Sequence, residues 1–479
     1  MTLNTNQHKM IIFAIQKTLK FKMKYAYLII IVILFASCNL IVPPEQQDFN
    51  DSITALGTTY IYDIDVIPEI KLEVSTEQWN KLLLDFDTNK NNEEYVKSDF
   101  SFTKDGHTIS LQDVGIHIRG NTSRRRPEGS TAEVHNSTNP VWHHASFSVN
   151  LKKFNNAQRL AGAEKINLKW FKDDAMYVRE IYCYDLFERF GVWTAPQSSY
   201  CRLSIKIKED ATTAYYGVYE MVEPVDEEFL KNRKDKFTDT KGNLWKAAWG
   251  ADLSNSDKSR MGLENVTLEQ TYTPVYDLKT NELQLETAKS QLVDFITNLN
   301  NKTDDDFKNW ISSKMDIDLF LRTYAVNVMC GMWDDYWVNQ NNYYFYFDSA
   351  GKFYFIPYDY DNTLGTSEII SDSGTQDVLN WGKDTQPLVK KIISIPEYKA
   401  LYIQYIKELC DSNNDLFQAD KSMTRINNWQ NKISGFVNND TNEDTEIIDK
   451  PANWGNCDFY RLLETNNNYF KIRAANIPN

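Results

Sequence analysis

The sequence of 479 residues has little cysteine and no excess of positive charge. Its six cysteines are widely spaced and form no C-x-x-C pair, which argues against a zinc site built from thiolates. The formal net charge is −14 at pH 7, so the chain repels nucleic acid phosphates and we expect no nucleic acid partner. Beyond the N-terminal region, no apolar run is long enough to span a bilayer. Hydrophobic residues make up 42% of the chain, which indicates a globular protein.

Several common catalytic and ligand-binding motifs are also missing. The sequence has no G-x-G-x-x-G, no H-E-x-x-H and no G-x-S-x-G pattern. Gly115 and Gly120 have the spacing of a P-loop, but Asn121 stands where that motif requires lysine. The run that begins at Asp359 starts like an EF-hand loop, but Leu364 occupies the sixth position, which needs glycine. A Walker site and an EF-hand are therefore excluded.

The N-terminal residues indicate export. Four lysines between positions 17 and 24 precede an uncharged run, Tyr25–Ala36, which has the length of a signal-peptide core and is short for a membrane span. The run leads into Phe35-Ala36-Ser37-Cys38, which resembles a bacterial lipobox, so we expect Cys38 to become the lipidated first residue of the mature protein. The alternative is a stop-transfer anchor that is never cleaved.

We therefore divide the chain into three parts. Residues 1–37 are expected to form a signal peptide, residues 38–58 a lipidated tether, and residues 59–479 the folded domain. A lipid on Cys38 would hold that domain at the bacterial cell envelope, facing the periplasm or the outside. The five remaining cysteines are odd in number, and nothing in their spacing fixes a disulfide pairing.

Periodic patterns predict mostly strands in the first part of the domain and mostly helices in the second. Runs typical of strands occur at Tyr60–Val74, Val114–Ile118, Phe147–Leu151, Ile166–Trp170 and, as an antiparallel pair, Tyr200–Ile207 and Tyr215–Val222. Helical spacing occurs at Met176–Phe190, Leu285–Leu299, Asp316–Met332 and Leu388–Leu409. A hairpin is predicted between the last two helices, from Tyr343–Phe347 to Phe353–Ile356.

This order of elements predicts an α+β fold with two lobes. The strand-rich N-lobe is expected over about residues 59–280 and the helix-rich C-lobe over about residues 281–479. No internal repeat is present in the sequence.

The segment between Asp334 and Asp361 concentrates oxygen-bearing side chains around the predicted hairpin. Asp334, Asp335 and Asn342 precede the hairpin, and Asp359 and Asp361 follow it. Carboxylates and amides suit hard cations such as Mg²⁺, Mn²⁺ or Ca²⁺. An Asp, an Asn eight residues later and another Asp beyond a hairpin form the layout of a phosphoryl-transfer site. The alternative is that these residues only cap and turn the loops.

Several segments resemble the spore-coat protein H (CotH) kinase family, an atypical, extracytoplasmic family with a protein-kinase-like fold. They are, in chain order, 116–123, 147–152, 173–191, 217–226 and the two Asp-bearing segments at 331–343 and 356–365. Each motif is weak alone, but six in this order, over roughly residues 110–410, make the resemblance specific. The sequence departs from ordinary kinases because it has no H-R-D, no D-F-G and no glycine loop.

The resemblance implies a role for each acid of the cluster. Asp334 looks like the catalytic-loop aspartate, with Asp335 as an alternative. Asn342 and Asp359 look like the ligands of a divalent metal, and Asp361 looks like a further ligand. The implied cofactors are ATP with Mg²⁺ or Mn²⁺.

The same resemblance implies residues that contact the nucleotide. Lys152 or Lys169 is similar to the lysine that pairs with the phosphates, and Glu180 to its ion-pair partner on the following helix. Arg119 belongs to a turn that resembles a phosphate-facing loop, and its alternative is an ordinary connection between strands. The segment Glu220–Glu223 resembles the hinge beside the adenine.

Three functions fit these observations. The first is an ATP-dependent kinase that phosphorylates Ser or Thr of a protein substrate, and the second is a non-catalytic pseudokinase or surface adhesin. The third is a metal-dependent carbohydrate-active enzyme, which the aromatic content of 13% and the paired acids would suit. Retention of Asp334, Asn342 and Asp359 together favours the first, because mutually repelling charges bring a binding module little unless they hold metal.

Overall fold

The computed structural model describes residues 52–264, 274–366, 374–383, 385–443 and 468–478, together with 445, 447 and 449–451. The chain divides into two units, Met1–Gly57 and Thr58–Asn479, and the architecture below is that of the second. The predicted signal peptide and Cys38 lie outside the described residues. Within the described part of the chain, no helix is long and apolar enough to cross a membrane.

Seven strands in the first part of this unit close into a barrel. The elements that form and flank it are α1 (Thr58–Tyr62), β1 (Glu69–Val74), α2 (Thr76–Thr88), β2 (Val96–Lys104), β3 (His107–Arg119), β4 (Ser146–Asn150), β5 (Lys165–Lys169), α3 (Arg179–Arg189), β6 (Ser198–Ile207) and β7 (Ala214–Val222). The strand order is β1-β2-β3-β4-β5-β7-β6, and β6 closes the barrel by pairing in parallel with β1. All other neighbouring pairs in the barrel are antiparallel.

Alternation along the barrel strands separates an apolar face from a polar one. Ile116, Val149 and Ile166 form one row across β3, β4 and β5 and are fully buried. The neighbouring row is polar and consists of His117, Ser148 and Asn167. Because successive strand residues point to opposite faces, the polar row lies on the side away from the apolar one.

A second sheet of five strands has the order β12-β11-β8-β10-β9. The elements of this part are α4 (Glu227–Asn232), β8 (Asn243–Ala247), β9 (Met261–Gly262), β10 (Tyr276–Leu278), α5 (Leu285–Asn301), α6 (Asp304–Lys314), α7 (Ile317–Cys330), β11 (Tyr343–Phe347), β12 (Phe353–Pro357), α8 (Pro387–Ile393), α9 (Pro396–Cys410), α10 (Ala419–Val437) and α11 (Tyr469–Ala475). The sheet contains strands from both sides of residue 280. The expected lobe boundary therefore crosses a continuous sheet.

Helix α7 is buried along most of its length and leads directly into the loop that carries Asp334. It ends at Gly331, whose φ of 69° is left-handed. A Cβ atom at this position would collide with the Tyr469 hydroxyl group. Glycine is therefore required here both by the backbone conformation and by the close approach of α11.

The α+β class is confirmed, and two local predictions are wrong. Tyr60–Val74 is not one strand, because Thr58–Tyr62 is helical and β1 begins only after Pro68, which has no N–H for the ladder. The single helix predicted over Leu388–Leu409 is two helices, α8 and α9. The second starts at Pro396, because proline cannot continue a helix but suits its first turn.

Candidate active site

Lys169, the last residue of β5, lies among three carboxylates. Its Nζ atom contacts Glu180 Oε2, lies 2.5 Å from Asp359 Oδ1 and lies 3.1 Å from Asp361 Oδ2. The Lys169 side chain is only 11% exposed. Burial alone would lower the pKa of Lys169, but the surrounding acids outweigh it and raise that pKa well above its ordinary value. Lys169 therefore stays charged.

The two aspartates of the loop after β12 have pKa values that are shifted in opposite directions. Burial raises the pKa of Asp359, but the charge and hydrogen bond of Lys169 outweigh it and hold that pKa below its ordinary value. Burial raises the pKa of Asp361 as well, and there the repulsion by Asp359 and Glu180 adds to it, so its pKa lies well above the ordinary value despite Lys169. Environments that shift the pKa values of neighbouring acids in opposite directions are typical of functional sites.

Helix α3 positions Glu180 against the Asp359 loop. Glu180 Oε1 accepts the backbone N–H of Tyr360 at 3.1 Å, so this carboxylate contacts both the lysine and the loop. The start of the helix is held by Asp174, which accepts the backbone N–H of Arg179 and pairs with its guanidinium group at 2.7 Å. Arg179 Nε also donates to the backbone oxygen of Thr363 at 3.0 Å. These hydrogen bonds connect the start of α3 to the loop after β12.

The hairpin of β11 and β12 brings Asn342 and Asp359 to the same end of the second sheet. Tyr343 pairs with Pro357 at the base of the hairpin, so the chain enters and leaves it side by side. Both Asn342 and Asp359 have left-handed backbones, with φ of 51° and 64°. Such a conformation costs a non-glycine residue roughly 1–3 kcal/mol and persists where the surroundings enforce it. At Asp359 the backbone N–H is fixed by the hydroxyl group of Tyr184 at 3.0 Å.

Asp334 is surrounded by four asparagine amides. Its Oδ1 atom accepts from Asn339 at 2.6 Å and from Asn341 at 3.0 Å. Its Oδ2 atom accepts from Asn342 at 3.1 Å and from Asn362 at 3.2 Å. Burial raises the pKa of Asp334 above its ordinary value although the amides of Asn339, Asn341 and Asn362 act to lower it. The result is a rigidly oriented carboxylate with raised basicity.

The neighbouring Asp335 has a different environment. Asp335 is buried. Its Oδ1 atom accepts a hydrogen bond from the backbone N–H of Trp337 at 2.9 Å, and its backbone oxygen accepts one from the backbone N–H of Gln340 at 2.6 Å. Burial raises its pKa well above the ordinary value. Asp335 shapes the turn, whereas Asp334 faces the asparagines and the Asp359 loop.

Glu220, in the segment that resembles a hinge, also belongs to the Lys169 cluster. It lies directly opposite Lys169 in the β5–β7 ladder and is 1% exposed. Its pKa is raised well above the ordinary value by burial first and then by the charge of Glu180. The available signal was an acid inside the otherwise apolar strand Tyr219-Glu220-Met221.

Lys152 is not brought to this cluster. It follows β4 and forms an ion pair with Glu164, which immediately precedes β5. Lys169 stands at the far end of β5, five residues after Glu164, which corresponds to roughly 16 Å at 3.3 Å per residue. Of the two lysines considered from the sequence, only Lys169 contacts Glu180.

A cavity of about 470 Å³ opens beside the cluster, between the polar face of β3, β4 and β5 and the second sheet. Asn342 and Asp359 form part of its wall. Arg119 lines it too and donates from Nη2 to the hydroxyl group of Tyr358 at 2.9 Å. The segment Pro224–Asp226, which directly follows β7, lines another side. The volume lies in the range of small-molecule sites.

The donor set of the cluster fits a hard divalent cation. Glu180, Asp359 and Asp361 each offer a carboxylate oxygen within 4.8 Å of the others. Asp361 Oδ1 is buried and accepts no hydrogen bond from the described residues. Oxygen donors with unsatisfied capacity suit Mg²⁺ or Mn²⁺.

Comparison with known proteins assigns the chain to a family. The model of the family described as "CotH kinase protein" matches residues 116–469, which is well over half of the chain. The chain is a member of the CotH kinase protein family. The matched range includes every residue of the site, from Arg119 in β3 to Asn362 after β12.

The chain is also similar, at low sequence identity, to a curated spore coat protein. The chain is 25% identical over 280 residues to the inner spore coat protein H of Bacillus subtilis (strain 168). This similarity covers 58% of the chain and 69% of the relative.

Proposed function

We propose that this CotH family member is an atypical kinase that transfers the γ-phosphate of ATP to Ser or Thr of a protein, in a reaction that depends on Mg²⁺ or Mn²⁺. The observation that carries the proposal is the contact of Lys169 with both Glu180 and Asp359. A lysine–glutamate ion pair beside an aspartate that holds metal is the arrangement that protein kinases use for phosphoryl transfer.

Asp334 would orient the attacking hydroxyl group and accept its proton. Its four amide contacts fix the carboxylate, and the raised pKa makes it a better base than an exposed aspartate. Asn342 uses its amide nitrogen for Asp334, which leaves its carbonyl oxygen to offer to a metal.

Asp359, Asp361 and Asn342 would hold the divalent cation. When bound, that cation neutralises the charge of the phosphate groups. Lys169 lies between the two aspartates and adds a positive charge beside them. The proposed two-lobed arrangement consists of the barrel as one lobe and the second sheet with helices α5–α11 as the other, with the nucleotide in the cavity between them.

The proposal includes a location outside the cytoplasm. The lysine-rich start, the short apolar run and Cys38 support export as a lipid-anchored protein. The relative's name places that protein in a spore coat, which supports a surface location here. A kinase in this position needs ATP from outside the cytoplasm.

A thermal-shift scan with ATP, with and without Mg²⁺ or Mn²⁺, tests the nucleotide part. A ligand that binds only the folded state must raise the melting temperature. Label transfer from γ-labelled ATP to a generic protein acceptor, or to the chain itself, tests the reaction. ATP binding without transfer would favour the pseudokinase or adhesin. If the chain shows no ATP binding and no phosphate transfer, the kinase proposal is overturned.

A further inference from the structure

The donors of Lys169 are all engaged by the protein itself. An ammonium group has three N–H donors, and Glu180, Asp359 and Asp361 lie at the three contacts of Nζ. A phosphate group near this lysine would therefore compete with three carboxylates. Other cations are needed to bind a polyanion beside so many acids.

The cavity wall provides several cations, but most are neutralised by a carboxylate. The pairs are Lys165 with Asp226 at 2.8 Å, Lys279 with Glu264 at 2.9 Å, and Arg124 with Glu93 at 3.1 Å. Lys246 and Arg119 also line the cavity. Neither has a carboxylate oxygen within 4.0 Å among the described residues.

The sheet geometry directs Lys246 into the cavity. Lys246 lies in the middle of β8, between Tyr344 of β11 and Asp277 of β10. Its neighbours Trp245 and Ala247 are buried in the main core on the opposite face. Because strand residues alternate, Lys246 is turned away from that core and towards the space beside the barrel.

Lys246 and Arg119 line the same cavity as Asp359. The two cations enter its wall from two elements, β8 of the second sheet and β3 of the barrel.

We propose that Lys246, together with Arg119, binds the phosphate groups of the nucleotide. This inference rests on the proposed kinase function and adds a residue of the second sheet to its phosphate site. Lys246 contributes a charge-assisted contact to a phosphate oxygen, and the fork of Arg119 contributes another from the opposite wall. Neither contact requires Lys169 to release its carboxylates.

Calorimetric titration of the full chain with Mg²⁺ and ATP, adenosine or inorganic tripolyphosphate tests this site. Lys246→Met should weaken ATP and tripolyphosphate binding by at least about tenfold, the loss expected for one charge-assisted hydrogen bond, and leave adenosine binding unchanged. Lys246→Arg should recover most of the affinity. Lys241→Met removes an exposed lysine just before β8 and should bind all three probes as wild type does.

The outcomes separate this inference from the kinase proposal. If wild type binds ATP and Lys246→Met binds it equally well, the phosphate site is overturned and the kinase proposal stands. If wild type binds tripolyphosphate through Lys246 but does not bind ATP, the anion site stands and the kinase proposal fails. If wild type binds neither, both are overturned. Melting curves without ligand show whether each variant is folded.

Discussion

Asn362 donates its side-chain amide to Asp334 Oδ2 at 3.2 Å, across 28 residues of sequence. This hydrogen bond joins the loop after α7 to the loop after β12, so the proposed base and the proposed metal ligands are held in one network. The network holds residues from both sides of the β11–β12 hairpin together.

The first prediction separates the two aspartates by role. Asp359→Ala should abolish metal-dependent ATP binding, because Asp359 is the proposed metal ligand whose pKa lies below its ordinary value. Asp334→Ala should leave ATP binding nearly intact and lower transfer by at least about 10²-fold, the usual effect of a positioned acid–base group. Calorimetry and label transfer measure the two effects. Loss of ATP binding in Asp334→Ala but not in Asp359→Ala would show that the roles are reversed.

The second prediction concerns the pH dependence of transfer. Asn362 helps to lower the pKa of Asp334, so Asn362→Ala should raise that pKa further. Since Asp334 must be ionised to accept a proton, the acid limb of kcat/KM against pH should move to higher pH. Asn309→Ala, in the exposed part of α6, is the matched control. An unchanged acid limb would mean that Asn362 does not tune the base.

The third prediction concerns folding of the barrel. His135 lies between Glu128 at 2.9 Å and Asp210 at 3.0 Å, with 1% of its side chain exposed. Burial would lower its pKa, but the hydrogen bonds to Asp210 and Glu128 outweigh this effect and raise it. The protonated form therefore stabilises the fold fully below the unfolded pKa of about 6.5, and this contribution is lost as pH rises through the folded pKa.

Denaturant unfolding at several pH values measures this effect. His135→Gln should lose most stability near pH 6 and less near pH 9. His107→Gln, at an exposed position at the start of β3, should show no such trend. A difference between His135→Gln and wild type that is constant with pH would refute the charged pair.

The fourth prediction concerns export. Cys38→Ser should abolish incorporation of a fatty-acid analogue and leave an uncleaved or soluble precursor, because the proposed site of lipid attachment is the thiol of Cys38. Metabolic labelling followed by fractionation measures both effects. Equal label on wild type and variant would rule out lipidation at Cys38.

Local patterns predicted most elements near the site, because α3 has helical periodicity and β11 and β12 are short apolar runs on either side of a turn. The sequence could not distinguish Lys152 from Lys169, since both stand near strand ends and only the tertiary fold decides which one contacts Glu180. The pairing of β5 with β7 also places Glu220 opposite Lys169, which no local pattern predicts. The closure of the barrel depends on contacts between β1 and β6, such as Leu72 with Ile205, that no local pattern contains. The catalytic and ligand roles remain predictions.

The parallel pairing of β1 with β6 also has a mechanical consequence. β1 is bonded on both sides, to β2 over Glu69–Glu73 and to β6 over Glu69–Val74. A force applied through the N-terminal segment acts along this strand, so the bonds of both ladders bear the load together in shear instead of opening one after another. A domain tethered through its N-terminal segment, as we propose, would therefore be pulled at a strand that is hydrogen-bonded on both sides.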